Sequence, residues 1–168
     1  MKKKAVNIIW FKRDLRFTDH EPLFMAQQEN LPILLVYFFE PSVMAYDDSD
    51  IRHWRFVYES LQEMQSQLKS VDAQIYFFHN EVQTVFKELL EIYDVKQVFS
   101  HQEIGNKVTF DRDIAMQSFF DDNTIHDTFL RQIIYTRQIR NIIKHAVLKK
   151  FLKHKETLYS LAIWINKI

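Results

Sequence analysis

Apolar residues along the first 125 positions follow two rhythms. Four short stretches, from Ala5 to Phe11, Leu31 to Phe39, Gln74 to Phe78 and Gln97 to Ser100, read as strands, the first two apolar almost throughout. Strands covered by helices on both faces read this way. Between them apolar residues recur at helical spacing: Leu23, Phe24 and Ala26; then Trp54, Val57, Leu61, Met64 and Leu68; then Val82, Val85, Phe86, Leu89, Leu90 and Tyr93. Asp19 is placed to cap the first helix, with Pro22 in its opening turn. Thr109 is placed to cap a helix from Phe110 to Phe120, ahead of a short fifth strand around Thr124 to His126. Strands alternating with helices predict an α/β fold, a doubly wound parallel sheet with right-handed crossovers and helices on both faces. The Trp54 stripe reads as core.

The turns sharpen this outline. Glu40-Pro41 stops the second strand, because proline withdraws a backbone donor and biases Glu40 away from helix. The fourth strand leaves through Ser100-His101-Gln102-Glu103-Ile104-Gly105-Asn106-Lys107, which holds the only glycine of the chain. A G-x-G-x-x-G dinucleotide fold and a P-loop both need several glycines, so neither exists here. Any ligand has to be held by side chains, helix N-termini and aromatic faces.

Composition removes further classes. With 168 residues and 47% hydrophobic content, one domain can bury a full core. The absence of cysteine excludes disulfides, thiolate metal sites and a cysteine nucleophile. Seven histidines show no metal-ligand spacing. Ser100-His101 lacks the glycines of a nucleophile elbow, so neither catalytic nor metal-ligating residues are expected. No signal-peptide pattern opens the chain and no apolar run approaches the roughly 20 residues of a spanning helix, which predicts a cytoplasmic location. The zero net charge is divided: residues 1–125 carry 13 Lys and Arg against 20 Asp and Glu, and residues 126–168 carry 9 against 2. In the basic segment Ile139, Ile142, Ile143, Ala146, Val147 and Phe151 share a helical face opposite Arg140, Lys144 and Lys149, which predicts a helix between about Phe129 and Lys155. Its apolar face should dock on the sheet domain or pair with a second chain as a homodimer.

The sharpest feature is the first strand's end, where Asn7-Ile8-Ile9-Trp10-Phe11 breaks into Lys12-Arg13-Asp14-Leu15-Arg16, closed by Asp19. Open parallel sheets hold ligands at such strand ends. Arg13, Asp14 and Arg16 read two ways, as residues facing a ligand or as an Asp14–arginine pair that fixes the turn. Glu103 and Lys107, after strand four, carry the same two readings. Phe11, Arg13, Asp14, Phe39, Glu40, Glu103 and Lys107 are expected to converge at this edge, where aromatic faces and a few charges suit a planar, partly anionic molecule.

Trp10-Phe11-Lys12-Arg13-Asp14-Leu15-Arg16 with Asp19 resembles the W-F-x-R-D-L-R-x-x-D opening of the DNA photolyase and cryptochrome family. Further motifs resemble that family in order: Phe38-Phe39-Glu40-Pro41; the helix carrying Arg52, Arg55, Phe56, Glu59, Ser60 and Leu61; and His101 to Asn106 followed by Thr109 to Asp113. The likeness runs from about Val6 to Ile125. It implies a Rossmann-like N-terminal domain over residues 1–125, with a five-stranded sheet in the order 3-2-1-4-5 and a cleft for an antenna chromophore: a folate, a deazaflavin or another flavin. In that family FAD and damaged DNA belong to a second, helical domain. Residues 126–168 resemble no part of it. The chain therefore reads as an isolated or truncated antenna domain, without direct DNA binding and inactive alone as a photolyase. Two alternatives are a nucleotide-binding module of the universal-stress type, which the glycine count disfavours, and a non-catalytic partner-binding domain.

Overall fold

A computed structural model describes residues 2–103 and 105–130. Five parallel strands form one sheet in the order β3-β2-β1-β4-β5. They are β1 (Lys4–Phe11), β2 (Ile33–Phe38), β3 (Ile75–Phe78), β4 (Tyr93–His101) and β5 (His126–Leu130). The connections are helical: α1 (Glu21–Gln28), α2 (Pro41–Met44), α3 (Ile51–Leu68), α4 (Val82–Ile92) and α5 (Lys107–Asp122). The strand order and fold class match the expectation, with Ile8 and Ile9 fully buried in the central strand.

The alternating sides of β1 divide the core. Val6, Ile8 and Trp10 pack with Val85, Phe86 and Leu89 of α4 and Met116, Phe119 and Phe120 of α5. Ile9 and Phe11 pack on the other side with Leu23 and Ala26 of α1 and Leu61, Met64 and Leu68 of α3. Every β2 residue is buried, which is why its sequence shows no polar alternation. Trp54 is half-buried against the second cluster rather than enclosed by it.

Two helix caps differ from the sequence reading. Asp19 adopts a left-handed φ of 52°, and His20 caps α1 through Nδ1, which accepts from Leu23 N at 3.1 Å. Asn106 rather than Thr109 caps α5, accepting from Thr109 N at 3.3 Å, so the helix starts three residues earlier than expected. The fifth strand also begins later, at His126. Thr124 holds a left-handed φ of 55° and turns the chain out of α5 before it can extend. That strand pairs with β4 beyond the boundary the charge break suggested at Ile125. The helix expected between about Phe129 and Lys155 lies outside the described residues past Leu130. Among the described residues no helix is long and apolar enough to cross a membrane.

Candidate functional site

Between β1 and β4 the chain's path reverses direction across the sheet, leaving a crevice at the strands' C-terminal ends. A cleft of about 720 Å³ lies there. Its walls come from the ends of β1 and β2, the exposed side of α3, the loop after β4 and the first turns of α5. Trp54, Phe56 and Val57 give it an apolar wall; Arg13, Arg16 and His53 line it as well. Phe56 is 69% exposed although aromatic, and it is carried on a rigid helix.

Beneath the cleft lies a buried network of charges. The Arg112 guanidinium reaches Glu40 at 2.6 Å, Glu103 at 2.5 Å and Asp113 at 2.9 Å. Asp113 also pairs with Lys12 Nζ at 2.8 Å and accepts from the Glu103 amide at 3.0 Å. Arg13 closes the network from outside through Glu103 at 2.6 Å, its side chain 65% exposed. Lys12 Nζ and the Arg112 guanidinium lie 4.2 and 5.0 Å from the Trp10 ring centroid, where the ring's negative face attracts cations. Burial alone would weaken the charge on Arg112, but Glu40, Asp113 and Glu103 outweigh it and hold the group above its ordinary value.

Burial pushes the Glu40 carboxyl up to about 7, against the pull of Arg112, and pushes the Lys12 ammonium down to about 8, against Asp113. The two shifts have opposite consequences. A carboxyl raised in the folded state favours folding while protonated; that contribution is complete below its ordinary value of 4.5 and is lost as pH rises through 7. Lysine depressed in the folded state favours folding above its ordinary value of 10.5, and that contribution is lost as pH falls through 8. Glu40→Gln is expected to remove a decline of roughly 3 kcal/mol between about pH 4.5 and 7, read by urea unfolding across that range. Parallel pH profiles for wild type and variant would contradict this.

A second buried centre fixes the turn after β1. Asp14 Oδ2 lies 2.6 Å from His101 Nδ1 and 2.5 Å from His20 Nε2, while Oδ1 accepts from the Lys12 amide at 2.9 Å. His20 Nδ1 is occupied as the acceptor of the α1 cap, so its ring proton sits on Nε2, facing the carboxylate. Burial pulls Asp14 upward, but the bonds from His101 and His20 and from the Lys12 amide prevail and hold it well below the usual carboxylate range. These three side chains are also a possible metal-ligand set. Two ligands sharing a zinc-like ion at roughly 2.1 Å stand well over 3 Å apart. The spacings here, 2.5 and 2.6 Å, are those of direct carboxylate–imidazole contacts instead. The alternative of an Asp14–arginine pair is replaced by an Asp14–histidine pair, which sequence spacing did not reveal.

Of the seven residues expected at the strand ends, Phe11, Arg13, Glu40 and Glu103 line the cleft. Asp14 and Phe39 are buried and do not line it. Lys107 faces solvent, is paired with Asp111 and lies outside the cleft. The Glu103 carboxylate is engaged by Arg13 and Arg112, which makes it the residue that positions the rim arginine. Sequence reading named Lys12 at this strand end without a role, assigned Trp54 to the core, and met Arg112 only within the Thr109-to-Asp113 motif; all three line the cleft. For Arg112 the available signal was an Arg-Asp pair one position from the α5 residues that reach the core.

Gly105 is explained by this rim. A Cβ at this position would meet Arg13 Nη2 at 2.8 Å and Thr109 Oγ1 at 3.0 Å. The exposed Arg13 side chain can swing aside, so Gly105→Ala is expected to change stability by less than about 0.5 kcal/mol while releasing Arg13 from Glu103. Urea unfolding and any binding assay on the cleft separate the two effects. Loss of stability without change in binding would contradict the assignment.

The comparisons with known proteins agree with this fold. A family model described as DNA photolyase matches residues 7–139, and the chain belongs to that family. The matched span includes β5 and the beginning of the segment that the charge break set apart. A cryptochrome DASH from Synechocystis sp. is 28% identical over 102 residues, covering 58% of this chain and 21% of the relative. One from Gloeobacter violaceus is 23% identical over 141 residues, covering 75% of this chain and 28% of the relative. Among solved structures, a Synechocystis sp. cryptochrome superposes with a TM-score of 0.71 at 20% identity, over 78% of this chain and 28% of that one. An archaeal photolyase from Sulfolobus tokodaii, solved with two FAD molecules, gives 0.66 at 18% identity, over 75% of this chain and 29% of its own. At these identities the structures bear on the fold. The chain spans between a fifth and a third of the length of these relatives.

Proposed function

We propose that the cleft binds a planar, partly anionic chromophore and that this domain serves the family's light-harvesting function. The observation that carries the reading is the cleft itself. It joins the Trp54 and Phe56 wall to the Arg13 rim at the sheet's switch point, and its volume suits a molecule of folate or flavin size. No protein group there needs to make or break a bond. What an antenna requires is a ring held by stacking, a charge to orient it and a rigid floor, and the Arg112 network fixes the floor.

A flavin is supported by the Sulfolobus tokodaii photolyase, whose description connects its two FAD molecules with a novel light-harvesting cofactor. Folate and deazaflavin remain within the same chemistry. Repair of pyrimidine dimers depends on electron transfer from a reduced flavin. The resemblance places that flavin in a helical domain distinct from this sheet, so no repair is expected of residues 2–130 alone.

Fluorescence titration of the whole chain with folate, FMN and FAD tests the reading. Binding is expected at roughly micromolar affinity or weaker, since one open wall leaves much of the ligand in water. Phe56→Ala should weaken it about tenfold through lost stacking, with unfolding unchanged because the side chain is exposed. Saturable binding that Phe56→Ala leaves untouched, or no binding by any of the three, would overturn it.

A further inference from the structure

The outer face of α5 carries an apolar ridge that the described fold leaves uncovered. Phe110 and Ile114, one turn apart, are 47% and 52% exposed, and neither lines the cleft. Other exposed apolar side chains are placed differently: Phe56 belongs to the cleft, Ile51 and Ile92 stand singly at the start of α3 and the end of α4, and Phe24 and Met25 lie on α1, across the sheet. Exposed apolar ridges of this kind mark contact surfaces.

Two observations point to what covers it. The first is where the chain goes. β5 ends at Leu130, in register with His101 at the end of β4, and α5 starts a few residues beyond His101. Leu130, the last described residue, therefore lies at the edge of the sheet where the first turns of α5, with Phe110 and Ile114, are located. The second is charge. Residues 131–168 carry 9 Lys and Arg against 1 Glu, whereas residues 1–130 carry 13 Lys and Arg against 21 Asp and Glu. On α5 itself Asp111, Asp121 and Asp122 are exposed, and Lys107 is its one exposed cation.

We propose that residues 131–168 fold back over the outer face of α5 in the same molecule, burying Phe110 and Ile114 and setting their basic side chains against the acidic sheet domain. The 38 residues are ample for the 16-residue helix, whose length at 1.5 Å per residue is about 24 Å. The apolar positions Ile139, Ile142, Ile143, Ala146, Val147 and Phe151 supply the complementary stripe.

Limited trypsin digestion of the full chain tests this, since the segment carries nine of the chain's lysines and arginines. Cleavage after residue 131 is expected to speed up by about tenfold in Ile114→Asp and in 0.5 M salt, because protease access follows opening of the docked segment. The sheet domain's circular dichroism should stay unchanged, and Phe110→Ser should act in the same direction if Ile114→Asp fails to fold. Light scattering should report a monomer. Equal cleavage rates in wild type and variants, or a dimer whose dissociation alone exposes the segment, would overturn the proposal.

Discussion

Arg112→Leu is expected to lower unfolding free energy by about 3–5 kcal/mol, a large part of the 5–15 kcal/mol that holds a typical domain together. Arg112 is the shared partner of Glu40, Glu103 and Asp113. Its removal leaves the buried Glu103 and Asp113 carboxylates facing only Lys12 and the exposed Arg13, and leaves Glu40, already raised to about 7, to take up a proton without its partner. Uncompensated buried charge is the costly outcome; loss of the pairing itself is the smaller part. A second change should therefore rescue the first: in Arg112→Leu/Glu40→Leu the cost should fall below that of the single variant. Arg112→Lys should be intermediate, since lysine restores the charge without the fork that reaches Glu40 and Glu103 together. Urea unfolding at neutral pH decides the matter, and a cost below about 1 kcal/mol for Arg112→Leu would contradict the role given to the network.

Asp14→Ala is expected to cost more than about 3 kcal/mol, because the His101 ring N–H and the Lys12 amide lose their acceptor and the buried His20 Nε2, 2.5 Å away, loses the carboxylate it faces. Asparagine separates the contributions. It keeps an oxygen for the Lys12 amide and directs an NH₂ at two histidines. His101 can change tautomer and accept, whereas His20 cannot without giving up the α1 cap. Asp14→Asn should therefore recover about half of the loss. The pH dependence has a definite sign. Asp14 is depressed in the folded state, so its contribution is present above the ordinary carboxylate range and is lost as pH falls below about 4. Glu40 acts in the opposite sense at higher pH. Acid unfolding that is the same in wild type and Asp14→Asn would contradict the assignment.

The first two strands were legible because burial on both faces writes itself as continuous apolar runs, and β2 is buried at every position; β4, with polar residues among its buried ones, starts at Tyr93, four residues before the Gln97 the sequence indicated. Their ends pointed to the site for the same reason: a run that stops at Phe11 and turns to charge has reached an edge. What sequence did not yield depends on tertiary approach. His20 and His101 are 81 positions apart and meet only because β1 and β4 are neighbours. Arg112 sits in a helix whose polar pattern gives no sign that this side chain turns beneath the cleft. The cap at His20 was missed because Asp19 is the stronger capping residue in general, and only its left-handed backbone shows that the turn passes it by. Phe39 and Asp14 lie just past the ends of β2 and β1 and are buried, a distinction strand periodicity does not carry beyond the last strand residue.

The central claim, that a chromophore sits at the C-terminal edge of the sheet, is tested most directly by amide and indole NMR of the labelled chain during titration with FMN. Shifts are expected for Arg13 to Arg16, Ser49 to Ser60, and Gly105 to Arg112, together with the Trp54 indole N–H that donates to Ser49 Oγ at 2.6 Å. The opposite edge, at Lys4, Ile33 and Tyr93, should stay unchanged. Shifts confined to the outer face of α5 or to that opposite edge, or none at millimolar FMN and then none with folate and FAD, would contradict the account.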